Sequence, residues 1–478
     1  MLLRLIALLE WFSTLAIQMI ALRQAIPVVG SSVVLTSIYI WIILLALSGG
    51  YRVGWVVAEK FKHSRKHLAM ILWCYLIIAG VWYSLVTFGM HTQLLEQLLA
   101  STWAYILTLF LVSMILFVVP VFLASQTLPL LTELVPIKSK GHAAWQMLFA
   151  STIGSFLWSV LTATVLFPTI GVNMTWAITV SMVLLAWVLS LMLWKKRIWI
   201  RWLVVRGCMS LWLFVSTYGS SELWVIWEWD TPYHSIQIKD YIYAWTSTRL
   251  MTTNWWFSSA RDSHSQTSPF SYLRSLVEQT KELQPETVLL IGTAWFTYPA
   301  ELDEESWLER IDAIDIDGAF LDVAQDYLLW EELTEKVVFY PDSARFFVQQ
   351  AIEREQQYNL ILLDAYNGRF VPAELATVEF FEDLKKLCSE DCQILSNLIV
   401  DRELASDFAQ WVVGSMQLAF GDLRVQSLHK WNRNIGNSII ATYRGWDDFT
   451  PIAQIKKSLP SDDSNDLERE LVEMWNAK

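Results

Sequence analysis

Two different hydrophobic patterns divide the chain. Up to residue 219, long apolar stretches follow one another, each near the roughly 20 residues that cross a bilayer. From Thr287 to Tyr366, short runs rich in Val, Ile and Leu alternate with helical patterns, as in a parallel α/β sheet. The sequence therefore predicts an α-helical multi-span membrane domain followed by an α/β Rossmann-like domain.

Seven apolar stretches are long enough to be membrane spans, and the first lacks a signal-peptide cleavage site. Cations concentrate in the loops after spans two, four and six, which predicts a cytoplasmic amino terminus. Seven spans place the following domain outside the cytoplasm. The domain is cytoplasmic instead if the seventh stretch only lies on the membrane. The predicted spans are 2–21, 28–48, 68–89, 103–123, 143–167, 173–194 and 202–219.

Few charged side chains interrupt the apolar stretches. Glu10 and Glu133 are the notable ones. A carboxylate inside a membrane is a candidate functional group, but each of these two lies near a span end and could simply reach water. A transport role for either remains one of the alternatives.

The membrane domain is expected over 1–219, and the rest of the chain falls into three parts. Over 220–283, many Trp residues indicate contact with the membrane interface, and the alternation in PYHSIQIKDYIYAWTST predicts a small antiparallel β unit. A helix is expected over 268–280, with Ser268 as its N-cap. The Rossmann-like domain is expected over 284–445 and a helical tail over 446–478.

Two cysteines follow a predicted helix of the Rossmann-like domain. Cys388 and Cys392 flank a turn before a predicted strand, and their spacing is too long for a redox CxxC motif. They are either unrelated turn cysteines or a disulfide, and a disulfide requires an oxidising compartment.

Charge separates the two halves of the chain. Hydrophobic residues make up 54% of the 478 residues and charged residues 17%, but residues 1–229 carry a net +8 and residues 230–478 a net −20. The acidic half argues against a nucleic-acid partner, which needs a basic face. It would suit a polycation, although strong negative charge more often only keeps a domain soluble.

Acidic side chains follow three successive strands of the predicted parallel sheet. Asp315 and Asp317 come after the second strand, Asp342 after the third and Asp364 after the fourth. Because ligands bind at the carboxyl ends of such strands, these acids are expected to line one crevice. A carboxylate after the second strand can accept both hydroxyls of a ribose diol. The pattern predicts a nucleoside site, although each acid alone would also suit a solvated strand end.

Two segments resemble the spermidine synthase (polyamine aminopropyltransferase) family. FYPDSARFF, at 339–347, is similar to its Asp-Ala-Arg segment, and YNLILLDAYNGRFVPAEL, at 358–375, to its catalytic loop. The apolar half resembles the variant of the family that is fused to a multi-span membrane domain. The resemblance implies a fold like that of S-adenosylmethionine-dependent methyltransferases. It also implies aminopropyl transfer, without a metal, from decarboxylated S-adenosylmethionine as co-substrate to putrescine, with no permanently bound cofactor.

The resemblance also implies residue roles. Asp364 matches the base that takes a proton from the attacking amine, and Tyr272 matches a tyrosine on the substrate side. The remaining expected contacts are cofactor binding by Gly292, Asp315, Asp317, Asp342 and Ser343, and substrate binding by Tyr233 and Tyr366.

The first turn of the sheet departs from the family. A glycine-rich turn lets the backbone approach the nucleoside, but here only Gly292 remains, and Trp295 stands where the family has an acid. Trp295 and Phe296 are expected to fill the space of the donor's tail. Asn367 replaces the second acid of the catalytic loop, and further departures are His234, Leu273 and Arg274.

Two interpretations of the whole chain stay open. In the first, it is an aminopropyltransferase of the bacterial inner membrane, with the bilayer and a polyamine as partners. In the second, the α/β domain is an inactive sensor or scaffold on a membrane module. The sequence leaves a homo-oligomer open in either case.

Overall fold

The chain divides into two compact units, Met1–Glu222 and Leu223–Lys478, in the computed structural model. The structure describes residues 2–29, 33–60, 66–75, 78, 118–135, 140–192, 225–231, 233–243, 246–254, 256–329, 331–366, 371–430, 435–443 and 445–455.

The first unit is α-helical over its described residues. Residues 66–75 and 118–125 are helical, and a π-helical turn over Thr162–Leu166 joins two of the longer helices. The longer elements are α1 (Leu2–Val29), α2 (Val33–Lys60), α3 (Thr127–Leu134), α4 (Lys140–Leu161) and α5 (Phe167–Met192).

Four helices of this unit are long and apolar enough to cross a membrane. They correspond to the first, second, fifth and sixth predicted spans, and a shorter apolar helix covers Val118–Leu134. The seventh predicted span and most of the third and fourth lie outside the described residues, so the count of seven stays a prediction. The four helices are Leu2–Ile20, Ser37–Lys60, Gly141–Leu166 and Thr169–Leu191.

Two glycines bring α2 into backbone contact with the segment before α3. A Cβ on Gly50 would lie 2.4 Å from the carbonyl oxygen of Phe122, and one on Gly54 would lie 2.9 Å from the Cα of Gln126. Small residues four positions apart on an apolar helix permit this approach. Larger side chains at either position would push the two helices apart.

The second unit begins with a four-stranded antiparallel sheet, as the alternation predicts. Ile236 and Ile238 point into the core, whereas Ile242 near the end of the same strand is exposed. The strands pair in chain order and are β1 (Val225–Asp230), β2 (Ser235–Tyr243), β3 (Thr246–Thr253) and β4 (Trp256–Asp262).

The larger sheet of the second unit has eight strands, and helices connect its parallel strands. The strands are β5 (Thr287–Ile291), β6 (Arg310–Asp315), β7 (Val337–Pro341), β8 (Tyr358–Leu363), β9 (Cys388–Asp401), β10 (Arg424–Lys430), β11 (Ile435–Ala441) and β12 (Thr450–Pro451). The helices are α6 (Ser271–Leu283), α7 (Thr297–Ala300), α8 (Phe320–Ala324), α9 (Ala344–Glu353), α10 (Val378–Lys386) and α11 (Asp407–Phe420), with short 3₁₀ or π turns at Ala294–Phe296, Gln325–Leu329 and Ala373–Leu375.

The strand order of this sheet is β12-β10-β11-β9-β8-β5-β6-β7. Strands β5 to β9 are parallel, which confirms the predicted parallel sheet, and β10, β11 and β12 pair antiparallel at one edge. From β5 the chain moves outward to β6 and β7, and then returns to β8 on the other side of β5. The carboxyl ends of β5 and β8 therefore meet where the order reverses, which is where open α/β sheets bind ligands.

The central strands read as continuous apolar runs because the sheet is covered on both faces. Val288 and Leu290 of β5 and Leu360 and Leu362 of β8 have no solvent exposure and belong to one core. This packing fixes the register of β5 against β8, and with it the position of the residues that follow each strand.

Helix α6 begins later than predicted. It starts at Ser271, and the Oγ of Ser268 accepts the backbone N–H of Phe270 at 3.3 Å. The N–H of Ser268 donates to Glu301 Oε1 at 3.0 Å. Ser268 therefore closes a local turn before the helix, and its prediction as the N-cap was wrong.

The carboxyl-terminal part of the sheet also differs from expectation. Strand β12 pairs with β10, so the sheet continues past residue 445, where the Rossmann-like domain was expected to end. The helix expected in the tail falls mainly on residues 456–478, which lie outside the described residues.

Cys388 and Cys392 form a disulfide, with their Cα atoms 5.1 Å apart. They lie within the first part of β9 and not in the turn before it. Tyr358 pairs with Cys388 and Leu360 with Gln393, so the intervening residues bulge out of the sheet. The disulfide closes the base of this bulge.

Candidate functional site

The first turn after β5 passes directly beside the end of β8. Gly292 has a φ of +81°, and a Cβ there would lie 2.3 Å from the carbonyl oxygen of Asp364. The Gly292 N–H donates to Ile314 at 2.9 Å, and the Asp364 N–H donates to Ile291 at 2.8 Å. Only glycine combines this left-handed backbone with so close an approach. The turn therefore brings the Asp364 backbone to the point where the strand order reverses.

Asp315 occupies the other side of this turn. Its Oδ2 accepts the backbone N–H of Thr293 at 3.2 Å and the Thr293 hydroxyl at 3.3 Å, and its Oδ1 accepts the Asp317 N–H at 3.2 Å. Burial raises the pKa of Asp315, while His234 and the backbone donors oppose the rise. These hydrogen bonds hold the carboxyl group at the end of β6, where the sequence predicts a carboxylate that binds a ribose.

Asp364 has an enclosed carboxyl group that one asparagine holds in place. It is 9% exposed, and Asn397 Nδ2 of β9 donates to its Oδ1 at 2.7 Å. Asn437 Nδ2 of β11 donates in turn to Asn397 Oδ1 at 2.9 Å. Burial raises the pKa of Asp364 to about 7, the Asn397 hydrogen bond opposes this rise, and the charge of Asp315 adds to it. Such a group can accept a proton near neutral pH.

Tyr366 extends the hydrogen bonding of the sheet beyond the end of β8. The last residue pair between β8 and β9 is Leu363 with Ser396. The Tyr366 hydroxyl then accepts the N–H of Ile399 at 2.9 Å and donates to the carbonyl of Asn397 at 2.9 Å. Its hydroxyl is thus engaged by the strand backbone, and direct contact with a substrate would have to use the ring.

Tyr272 lies near Asp364 at the start of α6. Burial raises the pKa of Tyr272 well above its usual range, and the charges of Asp364 and Tyr366 add to the rise. Its ring packs against Phe270, with the centroids 6.1 Å apart. Among the described residues its hydroxyl has no hydrogen-bond partner, so it can serve a ligand next to Asp364.

Asp317 is held by the small antiparallel sheet. Its carboxylate accepts a hydrogen bond from the Thr231 hydroxyl and contacts His234 Nδ1 at 2.8 Å. Asp317 is 2% exposed and His234 is 5% exposed. The His234 ring also lies 5.0 Å from that of Phe320. The predicted role of Asp317 in cofactor binding would require this pair to open.

Three predicted contact residues are Asp342, Ser343 and Tyr233. Asp342 follows β7, and its Oδ1 accepts the N–H of Ser343 at 2.8 Å; Ser343 is exposed at the start of α9. Tyr233 is 43% exposed in the turn between β1 and β2. Within the described part of the chain, none of the three is hydrogen-bonded to Asp364. Their roles stay predictions.

Two bulky residues of the first turn adopt a left-handed backbone. The φ angles of Trp295 and Phe296 are 53° and 58°. The Trp295 ring stacks on Phe320 at 3.7 Å, and the Phe296 ring meets the edge of Phe339 at 5.2 Å, both within the core. A left-handed non-glycine residue costs roughly 1–2 kcal/mol, which the burial of each ring offsets. The turn therefore keeps a backbone conformation that glycine favours, although Trp295 and Phe296 occupy these positions.

Asn397 and Asn437 were missed at the level of the sequence. Both lie in apolar strands, within QILSNLIV and IGNSIIA, and both are almost fully buried. A polar residue inside an apolar strand is itself a signal, because a buried amide needs partners. That signal could have identified them as candidates, but not their contact with Asp364.

Other kinds of site find little support in the described part of the chain. No three His, Cys, Asp or Glu side chains there converge as a metal site. A groove of about 690 Å³ is lined by Leu404, Gln410, Val425 and Ile452. It lies along β10 and β12, at the antiparallel edge of the sheet.

The fold and the site define an α/β domain with an enclosed carboxyl group at the reversal point of its parallel sheet. No family model matches the chain. Over 114 residues the chain is 32% identical to the polyamine aminopropyltransferase of Vibrio vulnificus (strain CMCP6). The match covers 24% of this chain and 38% of that protein, so the chain spans well under half of its relative's length.

The chain also matches solved structures, two of them at low sequence identity. A probable spermidine synthase from Corynebacterium glutamicum ATCC 13032 is 17% identical, with 46% of this chain and 80% of that chain covered and a TM-score of 0.37. The spermidine synthase from Thermotoga maritima is 15% identical, with 50% and 80% covered and a TM-score of 0.38.

Proposed function

We propose that the second unit transfers an aminopropyl group from decarboxylated S-adenosylmethionine to a polyamine acceptor such as putrescine. We further propose that the first unit anchors it in the bacterial inner membrane. The observation that carries the proposal is the Asp364 carboxyl group, enclosed at the reversal point of the sheet with a pKa of about 7. The 32% identity to a polyamine aminopropyltransferase supports it.

Asp364 has the property that this reaction needs from a base. An amine is protonated at neutral pH and must lose a proton before its nitrogen can attack the carbon next to the sulfonium. Asn397 holds Oδ1 of Asp364, which leaves Oδ2 to take that proton. The new C–N bond forms as the C–S bond breaks, and the thioether nucleoside leaves. Asp315, at the end of β6, is the residue we assign to the ribose.

The direct test is turnover by the full chain in detergent or lipid. Decarboxylated S-adenosylmethionine and putrescine are supplied, and the nucleoside and polyamine products are measured by mass spectrometry. We expect turnover in the wild type and a loss of about 10²–10⁴-fold in Asp364→Asn, the usual contribution of a general base. The amide can still accept the Asn397 hydrogen bond, so the fold is retained. Asp383→Asn, on α10, is the control and should change nothing.

Unchanged product formation in Asp364→Asn would sink the assignment of the base. Absence of product with the folded wild type would sink the activity itself for this donor and acceptor.

A non-catalytic ligand sensor or scaffold is the second candidate, and the first turn favours it. Trp295 and Phe296 replace residues that the resemblance expects to be small or acidic. Calorimetry with the thioether nucleoside product separates the enzyme from a scaffold that binds no nucleoside. If the chain is the enzyme, the wild type binds this nucleoside. If the chain is such a scaffold, the wild type does not bind it. If the aromatic residues block the site, Trp295→Gly with Phe296→Gly gains binding.

Sidedness provides an independent test. Two reporters, one active only in the cytoplasm and one only in the periplasm, are fused after Lys478. The enzyme requires access to a cytosolic nucleoside, so we expect the cytoplasmic signal. A periplasmic signal would favour the scaffold and would fit the Cys388–Cys392 disulfide, since disulfides persist in oxidising compartments.

A further inference from the structure

Glu10 is enclosed in the first unit, whereas the residues of the chemistry proposed above belong to the second. Its side chain has no solvent exposure and lies within the apolar helix α1. Glu133, the other carboxylate noted in the apolar stretches, is exposed near the end of α3. The interpretation that both simply reach water is therefore wrong for Glu10.

Two threonine hydroxyls contact the Glu10 carboxyl group. Thr14 Oγ1 lies 3.1 Å from Oε1, and Thr127 Oγ1 of α3 lies 2.8 Å from Oε2. Each hydroxyl also lies within hydrogen-bond distance of a backbone carbonyl, Thr14 of Glu10 at 3.0 Å and Thr127 of Ala124 at 2.7 Å. Both threonines are buried.

A threonine hydroxyl has only one proton to donate. If both threonines donate to their backbone carbonyls, their lone pairs face Glu10, and one of these contacts becomes a hydrogen bond when Glu10 carries a proton. If both donate to Glu10, the carboxyl group is ionised and two backbone carbonyls lose a donor. The same side-chain positions therefore serve a protonated and an ionised Glu10, with the hydroxyl protons turned in opposite directions.

The surroundings of Glu10 favour the protonated form. In the described part of the chain, no Lys, Arg or His forms an ion pair with it. The titratable neighbours are two phenols. Tyr51 of α2 stacks on Trp11 at 6.0 Å, and the Tyr75 hydroxyl lies 3.4 Å from Thr14 Oγ1. An ionised carboxylate without a cation is costly in such a place.

The two long helices that follow α3 carry few ionisable side chains. Helix α5 has no ionisable side chain, and the only ones on α4 are Lys140 and His142 at its start. Backbone contacts hold the group closed. A Cβ on Gly154 of α4 would lie 2.5 Å from the carbonyl of Leu8 on α1. Glu10 has no solvent exposure, so water reaches it only when a helix that covers it moves away.

We propose that Glu10 is a proton-binding site that links proton release to a movement of α1 against α3. In the closed arrangement the carboxyl group keeps its proton. When α1 and α3 separate, water reaches Glu10, the proton passes to water and the carboxylate stays hydrated until the helices close. Proton binding to Glu10 then favours helix closure, and helix closure favours proton binding. This site uses no residue of the proposed transferase.

Infrared spectroscopy of the full chain in lipid tests the protonation state. Because Asp364 also carries a proton near pH 7, the carbonyl stretch of a protonated Glu10 is taken as the difference between the spectra of the wild type and of Glu10→Gln at pH 7. Glu133→Gln is the matched control and should keep the band. Thr127→Val removes one partner and should shift the band without abolishing it, a readout that remains if Glu10→Gln does not fold. Identical carbonyl bands in the wild type and Glu10→Gln at pH 6–7 would overturn the proposal.

Hydrogen exchange, followed by mass spectrometry, tests the linkage. The exchange rates are first corrected for the intrinsic pH dependence of exchange. The equilibrium constant of an opening that releases one proton then rises by up to tenfold per pH unit. We expect this rise in peptides from residues 118–134 of the wild type and of Glu133→Gln, and no such rise in Glu10→Gln, which has no proton to release. An equal pH dependence in Glu10→Gln would contradict the linkage.

Discussion

The side-chain amide of Asn397 donates to Asp364 Oδ1 at 2.7 Å, and Asn437 fixes the orientation of that amide from the next strand. The three residues come from β8, β9 and β11 and form one buried chain of hydrogen bonds. An amide N–H can only donate, so this contact favours the ionised form of Asp364. Burial favours the neutral form. The balance gives Asp364 its pKa of about 7.

The first prediction concerns the pH dependence of turnover. In Asn397→Ala the hydrogen bond that lowers the pKa of Asp364 is lost, so that pKa rises above about 7. Turnover by the proposed base should then fall several-fold at pH 7 and recover at higher pH. The measurement is kcat/KM as a function of pH. Asn437→Ala should shift the acidic limb less, and an equal loss at every pH would mean that Asn397 has only a structural role.

The second prediction concerns stability. The pKa of Asp364 in the folded chain, about 7, exceeds its ordinary value of 3.8. The bound proton therefore stabilises the folded chain fully below pH 3.8, and this stabilisation is lost as the pH rises through 7. The Asp364→Asn chain has no carboxyl group at this position, so its stability does not fall in this way. The rise of this pKa from 3.8 to about 7 corresponds to at most about 4 kcal/mol, so Asp364→Asn should be the more stable chain at pH 8.

Thermal unfolding of the two chains at pH 5 and pH 8 provides the measurement. The difference between Asp364→Asn and the wild type should shrink on going from pH 8 to pH 5. A wild type that is more stable than Asp364→Asn at pH 8 would show that the ionised carboxylate has a stabilising partner.

The third prediction compares two glycines with the same backbone conformation. The φ angles of Gly292 and Gly421 are +81° and +83°, but a Cβ on Gly421 meets nothing within 4 Å, whereas one on Gly292 meets the Asp364 backbone at 2.3 Å. Gly421→Ala should cost only the strain of the left-handed conformation, about 1–2 kcal/mol. Gly292→Ala should cost more and should increase hydrogen exchange in β5 and β8. Equal costs would mean that the first turn moves aside freely.

The parallel strands could be predicted from the sequence because buried parallel strands are apolar on both faces. The acids after these strands were visible for the same reason, since a polar residue marks the place where burial ends. The contact from Asn397 to Asp364 was not visible, because it joins residues 33 apart through side chains on neighbouring strands. The backbone of β9 engages the hydroxyl of Tyr366, and substrate binding by Tyr366 stays a prediction.

Backbone conformation set a second limit on the prediction. The left-handed φ of Trp295 cannot be inferred from its residue type, because non-glycine residues rarely adopt it. Its aromatic ring was expected to fill the donor's space, and in the structure it stacks on Phe320 in the core. The approach of Gly292 to Asp364 likewise depends on the register of β5 against β8, which periodicity alone does not give.

The last prediction concerns the contact between His234 and Asp317, which are 83 residues apart in sequence. Both side chains are buried, so His234→Ala leaves an enclosed carboxylate without its main partner. Leaving a buried polar group without its hydrogen-bond partner costs about 1–3 kcal/mol, and more when the group is charged. Asp317→Asn in the same chain removes the charge, so the double variant should be more stable than His234→Ala alone. Hydrogen exchange in β2 and in residues 317–324 reports the effect locally.

A solvent-exposed pair in the same small sheet provides the matched control. Arg249 Nε contacts Asp240 Oδ1 at 2.8 Å, and the Asp240 side chain is 52% exposed. Asp240→Asn should cost no more than about 1 kcal/mol, because water screens an exposed pair. If His234→Ala costs no more than this control, the pair does not hold the small sheet against the end of β6. Asp317 would then be free to turn toward a ligand, as its predicted role in cofactor binding requires.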